Sequence, residues 1–229
     1  MPPPAGRAKG PDVSSAIMRI EEIFHSIQGE GTRRGRPCTF VRLTGCPLRC
    51  VWCDTAYAFG GGEETTLDAI VERVDAFGTK LVCVTGGEPL AQETVHDLMR
   101  RLADSGYEVT LETSGALDAT TVDERVVRIL DLKAPGSGEA HRVHEPTFDG
   151  LRATDEIKFV LADRGDYEWA REQIARRGLV GRVAALLMSP VWATLEPARL
   201  AAWILEDRLP VVLQLQEHKI LWPGVEKGV

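Results

Sequence analysis

No stretch of this 229-residue chain is apolar over the roughly 18 residues that a membrane-spanning helix needs. No membrane partner is therefore expected. Positive charge is in short supply: 27 Lys and Arg stand against 34 Asp and Glu, a net charge of −7 with no long basic stripe. Nucleic acid is not expected as a direct partner. The opening residues, MPPPAGRAKGPDVSSA, lack the apolar core of a secretory signal. They are rich in Pro, Gly and small residues, so 1–17 are expected to be a flexible tail ahead of a single domain over 18–229. Cysteine is scarce and odd in number, at five. Without an export signal, this fits free or metal-bound thiols in the cytoplasm better than a disulfide framework.

What is present has a rhythm. MRIEEIF and CTFVRLT read as strands joined by a glycine-rich loop, HSIQGEGTRRGRP. Its Arg33, Arg34 and Arg36 are either a solvated basic cluster or a docking patch for an acidic electron donor. The glycine-rich AFGGGEE reads as a flexible stretch. Leu67, Ile70, Val71, Val74 and Phe77 recur at helical spacing, with Thr65 or Thr66 as a cap and Gly78 as a stop. Val95, Leu98, Met99 and Leu102 predict another helix, closed by Gly106. Further helices are expected near Thr121–Arg125 and over Asp166–Arg177 and Leu195–Asp207. KLVCVT, YEVTLET, VVRILDLK, EIKFVLA, RVAALLMS and PVVLQLQ read as strands.

Continuous apolar strands alternating with helices predict an α/β fold with a parallel sheet. The polar signatures TGGEP, ETSG, DLKAP, Ser189-Pro190 and QEHK all fall at C-terminal ends of strands, the face that carries the active site in β/α barrels. The expectation is an open, partial β/α barrel of about six strand–helix units, too few for a full eight-fold barrel. A doubly wound sheet is the alternative.

GCPLRCVWCDT places Cys46, Cys50 and Cys53 within eight residues, with no histidine or fourth cysteine close by. Thiolates select zinc or iron–sulfur clusters. A structural zinc wants four closed ligands. A 4Fe–4S cluster on three cysteines instead leaves one iron open to a cofactor or substrate. Cys38 and Cys83 lie within strands and are expected to be buried, inert thiols.

This spacing, with CDT after it and TGGEP downstream, resembles the radical S-adenosylmethionine (SAM) superfamily. The resemblance implies that SAM binds the open iron and is cleaved to a hydrogen-abstracting radical. It assigns Trp52, Cys53 and Asp54, then Gly87 supported by Glu88, to SAM. Asp131, Leu132, Lys133 and Ser189, at later strand ends, join them. SIQGEG, GRP, FVRL, ETSG and QLQEHK narrow the resemblance to the 7-carboxy-7-deazaguanine synthase family, from about Glu22 to the C-terminus.

That family resemblance implies 6-carboxy-5,6,7,8-tetrahydropterin as substrate, hydrogen abstraction at C6 and ring contraction with loss of ammonia, in queuosine or 7-deazapurine biosynthesis. It assigns Ile27, Gln28, Gly29 and Thr85 to the pterin, and Thr55 to Mg2+. Arg42 shares a strand face with Phe40 and Cys38 and needs an anionic partner, either the substrate carboxylate or a nearby glutamate. Lys158 is either an internal ion-pair residue or faces the pocket. PGVEKGV is expected to fold back, with His218 fixing the turn and the Val229 carboxylate near the pterin. An electron donor such as flavodoxin and a homodimer are also implied. A glycyl-radical-enzyme activase and a non-enzymatic iron–sulfur carrier are the competing readings.

Overall fold

Two long antiparallel strands open the described part of the chain, residues 16–229 of this computed structural model. They are β1 (Ile17–Ile27) and β2 (Pro37–Leu43), with Glu22 opposite Arg42 and Phe24 opposite Phe40. Ile17, placed in the tail by sequence, is the first residue of β1, and the rest of the expected tail, 1–15, lies outside the described residues. β3 (Glu63–Thr66) pairs with the other edge of β1. Its segment reads as a flexible glycine stretch in the sequence. Gly62, at φ 75°, turns the chain so tightly that an added Cβ would lie 2.7 Å from the Ile20 carbonyl oxygen.

From β2 onward the pairing is parallel. β4 (Leu81–Gly86), β5 (Glu108–Thr113), β6 (Val127–Asp131), β7 (Glu156–Leu161), β8 (Ala185–Pro190) and β9 (Val212–Leu213) follow in turn. The whole sheet runs β3-β1-β2-β4-β5-β6-β7-β8-β9. The expected last strand, PVVLQLQ, keeps only the two residues of β9, which hydrogen-bond to β8 alone.

Helices cover the outer face. α1 (Leu67–Phe77) starts where the Thr66 side chain accepts from Ala69 N–H and ends at Gly78, φ 69°. It buries Leu67, Ile70, Val71 and Val74. α2 (Val95–Asp104), α3 (Glu145–Asp149), α4 (Arg164–Arg176) and α5 (Pro197–Glu206) follow, and α6 (Glu217–Leu221) lies near the chain end. The helix expected at Thr121–Arg125 is a turn. The Asp118 and Asp123 side chains accept from Thr120 and Arg125 N–H, which favours turns over helix. Among the described residues no helix is long and apolar enough to cross a membrane.

Alternation along β2 and β4 divides the two faces. Val41, Leu43, Val82 and Val84 join the main core, while Cys38, Phe40 and Cys83 form a separate small cluster with Phe24 and Leu81. The second face lines a bore. Strands lie about 4.8 Å apart, so β2 and β9, six places apart in the order, would be about 29 Å apart in a flat sheet. Yet the β1–β2 loop reaches both. Gln28 N–H donates to the Arg36 carbonyl beside β2 at 2.9 Å, and Gly31 N–H donates to Gln214 Oε1 beside β9 at 2.8 Å. Three residues span at most about 11 Å. The sheet must curl into an open barrel, and this loop crosses its bore.

Below the site, Arg128 is completely buried and fixes β6 to β7. Its Nε donates to Asp155 Oδ1 at 3.0 Å, a second nitrogen bonds the other Asp155 oxygen, and the Ala119 and Gly150 carbonyls accept from its Nη groups. Asp155→Ala leaves a buried, unpaired guanidinium. Urea unfolding should show a loss of about 3–5 kcal/mol; an unchanged midpoint would contradict the role given to this pair.

Candidate active site

A belt of polar side chains crosses the inner face. Glu22 pairs in register with Arg42, and Arg42 with Thr85. Thr85 Oγ1 donates to Glu112 Oε2 at 2.8 Å. Asp131 pairs in register with Lys158. Lys158 therefore faces the bore, where it bonds the Glu30 carboxylate and lies 3.9 Å from Asp131 Oδ2. Burial opposes the charge on Lys158, but Glu30, Asp131 and Glu112 outweigh it and raise its pKa. Burial, reinforced by the charge of Glu30, pushes the Glu112 carboxyl up. Lys133 donates to Asp131 Oδ2 at 2.8 Å.

Four buried polar atoms find no hydrogen-bond partner among the described residues: Gln28 Nε2, Asp131 Oδ1, Ser189 Oγ and Gln214 Nε2. Each such atom costs about 1–3 kcal/mol unless something satisfies it. Asp131 and Ser189 lie at the C-terminal ends of β6 and β8, the strand ends where the sequence places them.

The cysteine loop is anchored on several sides. Gly45 N–H donates to the Ala58 carbonyl at 2.8 Å, Val51 N–H to Ser137 at 3.0 Å and Glu88 N–H to Gly45 at 2.8 Å. Gly87 sits so close beneath it that a Cβ would lie 2.3 Å from the Gly45 oxygen and 2.9 Å from Cys46 Cβ. Glu88 is fully buried, and its carboxylate accepts from Leu90 N–H, the Thr113 hydroxyl and both the amide and hydroxyl of Ser114. It braces TGGEP against ETSG. Trp52 packs over Gly136, where a Cβ would approach its ring to 3.0 Å. Leu132 is buried, and its N–H donates to the Lys158 carbonyl.

Cys46, Cys50 and Cys53 are free and partly exposed. No three His, Cys, Asp or Glu side chains among the described residues converge as one ion's ligand set. A single zinc needs that convergence. A cubane cluster seats each thiolate on a different iron, so three soft donors on one glycine-backed loop fit it. Cys38 and Cys83 are fully buried; burial pushes the Cys38 thiol up to about 12 and Cys83 well above its ordinary value, so both are inert.

Several of the expected side chains already have partners within the chain. Arg42 Nε donates to Glu22 Oε1 at 2.7 Å, so the glutamate is its partner here. Its guanidinium also lies over the Phe24 and Tyr57 rings. Asp54, expected with the cofactor, accepts from Lys219 at 2.9 Å and from Gln216 at 3.1 Å. Burial opposes its ionisation, but Lys219 prevails and lowers its pKa to about 2. The basic cluster is internally paired. Arg33 and Arg36 both bond Glu108 at 2.7 Å, Arg33 reaches Glu156 at 2.9 Å, and Arg34 lies 3.9 Å from Glu217.

Ile27 ends β1 and leads the loop into the bore. A Cβ on Gly29 would meet the His218 backbone nitrogen at 3.1 Å and Nδ1 at 3.2 Å, so the loop and α6 are in contact. Burial lowers the His218 pKa against the pull of Glu30 and Asp54. Thr55 Oγ1 lies 3.7 Å from Cys53 Sγ. The tail does fold back: Gly228 N–H donates to Glu22 Oε2 at 3.0 Å. Glu30, Glu112, Tyr57 and Gln214 also contact the residues of the candidate site and were not among those expected from the sequence. The glutamates stood inside SIQGEG and ETSG, the motifs that carried the resemblance, and only that position pointed to them.

An open parallel barrel with a three-cysteine loop at its C-terminal rim defines a radical SAM protein, and a family profile described as the Radical SAM superfamily matches residues 40–138. Curated relatives are closer. The 7-carboxy-7-deazaguanine synthase of Koribacter versatilis is 44% identical over 226 residues, 93% of this chain and 100% of that one. The protein of the same name from Chlorobaculum tepidum is 45% identical over 219 residues, 94% and 99% of the two chains. This chain belongs to the 7-carboxy-7-deazaguanine synthase family. The solved structure of QueE from Escherichia coli has the same fold, with a TM-score of 0.72 at 22% identity, over 87% of this chain and 94% of that one.

Cys50→Ala should lose the brown iron–sulfur absorbance after anaerobic reconstitution, and Gly87→Ala should weaken it by displacing the loop. Cys83→Ala should retain it. Iron retained by Cys50→Ala but lost from Cys83→Ala would overturn the ligand assignment.

Proposed function

We propose that this chain converts 6-carboxy-5,6,7,8-tetrahydropterin to 7-carboxy-7-deazaguanine, with loss of ammonia. Cys46, Cys50 and Cys53 would hold the cluster, and Gly87, Asp131 and Ser189 the SAM, which together would supply hydrogen-abstracting radical chemistry at the substrate. The observation that carries the reading is the belt of buried polar groups, several unsatisfied, in a bore beside the cysteine loop of a family member.

The residues divide the work by their chemistry. A pterin ring is flat, with N–H donors and a carbonyl on one edge. Glu112 and the side-chain amides of Gln28 and Gln214 are suited to that edge, with Thr85 beside Glu112. The Ile27–Gly29 backbone covers the ring. Arg42 engages Glu22 through Nε, and we assign its Nη groups to the substrate carboxylate. The unsatisfied Asp131 Oδ1 and Ser189 Oγ match the ribose hydroxyls and amino acid portion of SAM, alongside Trp52 and Gly87. Lys133 and Lys158 balance the acidic side chains of the bore and keep them in place. Val229 and His218 complete the pocket from the C-terminal side.

Thr55 is the proposed protein ligand of Mg2+, with substrate oxygens and water filling its shell. Flavodoxin is the proposed electron donor and the cytoplasm the proposed location. A homodimer is proposed through the open edge of β9, where Val212 is exposed.

Anaerobic incubation of reconstituted protein with SAM, Mg2+, a chemical reductant and the pterin should produce the deazapurine chromophore without any protein substrate. No consumption of the pterin would overturn the reading, and a requirement for a polypeptide substrate would favour a glycyl-radical activase. Thr55→Ala should slow turnover and blunt the response to added Mg2+ while SAM binds normally. Unchanged magnesium dependence would remove Thr55 from the site.

A further inference from the structure

The end of the chain is held to the rim of the bore by contacts on three consecutive residues. Lys227 Nζ lies 2.5 Å from Glu21 Oε1 and 4.5 Å from the centroid of the Tyr57 ring. Gly228 N–H donates to Glu22 Oε2 at 3.0 Å. The Tyr57 hydroxyl lies 3.1 Å from the Glu226 carbonyl oxygen and 3.1 Å from Glu22 Oε1, sharing its proton between two acceptors. Gly224 and Gly228, at φ 80° and 75°, supply the turns that bring the segment back.

These contacts are continuous with the site on both sides. Glu22 is the first member of the polar belt, and its other oxygen already holds Arg42. Tyr57 sits in the short 3-10 turn Ala56–Phe59, directly after Cys53, Asp54 and Thr55. The same turn accepts the Gly45 N–H that anchors the start of the cysteine loop. The base of the tail is tied to this stretch as well, through Lys219 and Gln216 on Asp54. The segment from 216 to 228 is thus pinned at both ends to one short piece of chain, 54–57, and to the β1 residues beside it.

We propose that Tyr57, Glu21 and Glu22 form a clasp that holds the C-terminal segment as a strap across the mouth of the bore, with Tyr57 its positioning residue. The clasp rests on the reading of the bore as the pterin site. Its chemistry suits a closure that must open. Lys227 is half exposed, and contacts near solvent release more readily than core contacts. A closed strap would exclude water and retain the pterin; an open one would admit it.

The test uses the full-length reconstituted protein. Hydrogen exchange of the peptide 222–229 is measured in the wild type, in Tyr57→Phe and in Lys227→Gln. Tyr57→Phe keeps the ring but removes the hydroxyl, and should speed exchange of the Gly228 region about fivefold, the effect of one ordinary hydrogen bond. Its dissociation constant for the pterin should rise by a similar factor while that for SAM stays constant. Lys227→Gln, a surface change that leaves the core intact, should act in the same direction. Exchange unchanged in both variants overturns the clasp. Faster exchange with unchanged pterin affinity overturns its positioning role. Because exchange is read without turnover, a wild type that ignores the pterin would refute the functional reading and leave the clasp's own test standing.

Discussion

One buried ion pair holds this architecture closed. Lys158 rises from the middle of β7 into the bore and meets Glu30, carried there by the loop between β1 and β2. An open barrel has a gap between its first and last strands, and this chain fills it with a loop rather than more strands. The loop can cross only if its polar backbone and Glu30 find partners on the far side. Gln214, Glu156 and Lys158 supply them. Removing Glu30 would leave the loop without this anchor and Lys158 with only the more distant Asp131 at 3.9 Å. The same loop carries Gln28 and Gly29, so the contact that closes the barrel also sets one wall of the site.

The site is built from two halves with different physics. The cysteine loop is backbone on backbone: Gly87 allows an approach that any side chain would block, and Glu88 locks the turn from below. The belt is charge on charge, with Lys133 and Lys158 set among Glu30, Glu112 and Asp131. Neither half spans the pocket. The C-terminal segment joins them, touching Asp54 beside the cysteines and Glu22 at the start of the belt.

Much of this was legible in the sequence because local rules carried it. Thr66 and Gly78 bounded α1, and apolar runs placed β4 to β8, because capping and periodicity act over a few residues. The three-cysteine loop stood out from the spacing of Cys46, Cys50 and Cys53. What stayed hidden depends on partners distant in sequence. A glutamate for Arg42 and an ion pair for Lys158 stood among the alternatives, but which glutamates they meet, and that Glu108 and Glu156 neutralise the Arg33 cluster, follow from strand register and curl, which no local pattern encodes. Burial of Glu112 was unreadable for the same reason. The short helix expected at Thr121 failed because two aspartates capture backbone N–H groups there.

The central claim is that the bore crossed by the Glu30 loop receives the pterin. The direct measurement is an anaerobic crystal structure of reconstituted protein with SAM and 6-carboxy-5,6,7,8-tetrahydropterin. The account predicts the pterin inside the bore, its N–H edge on Glu112 and the Gln28 amide, with Lys158 and Glu30 still paired beside it. A pterin bound outside the bore, or a Glu30 loop expelled from it in the complex, would contradict the account.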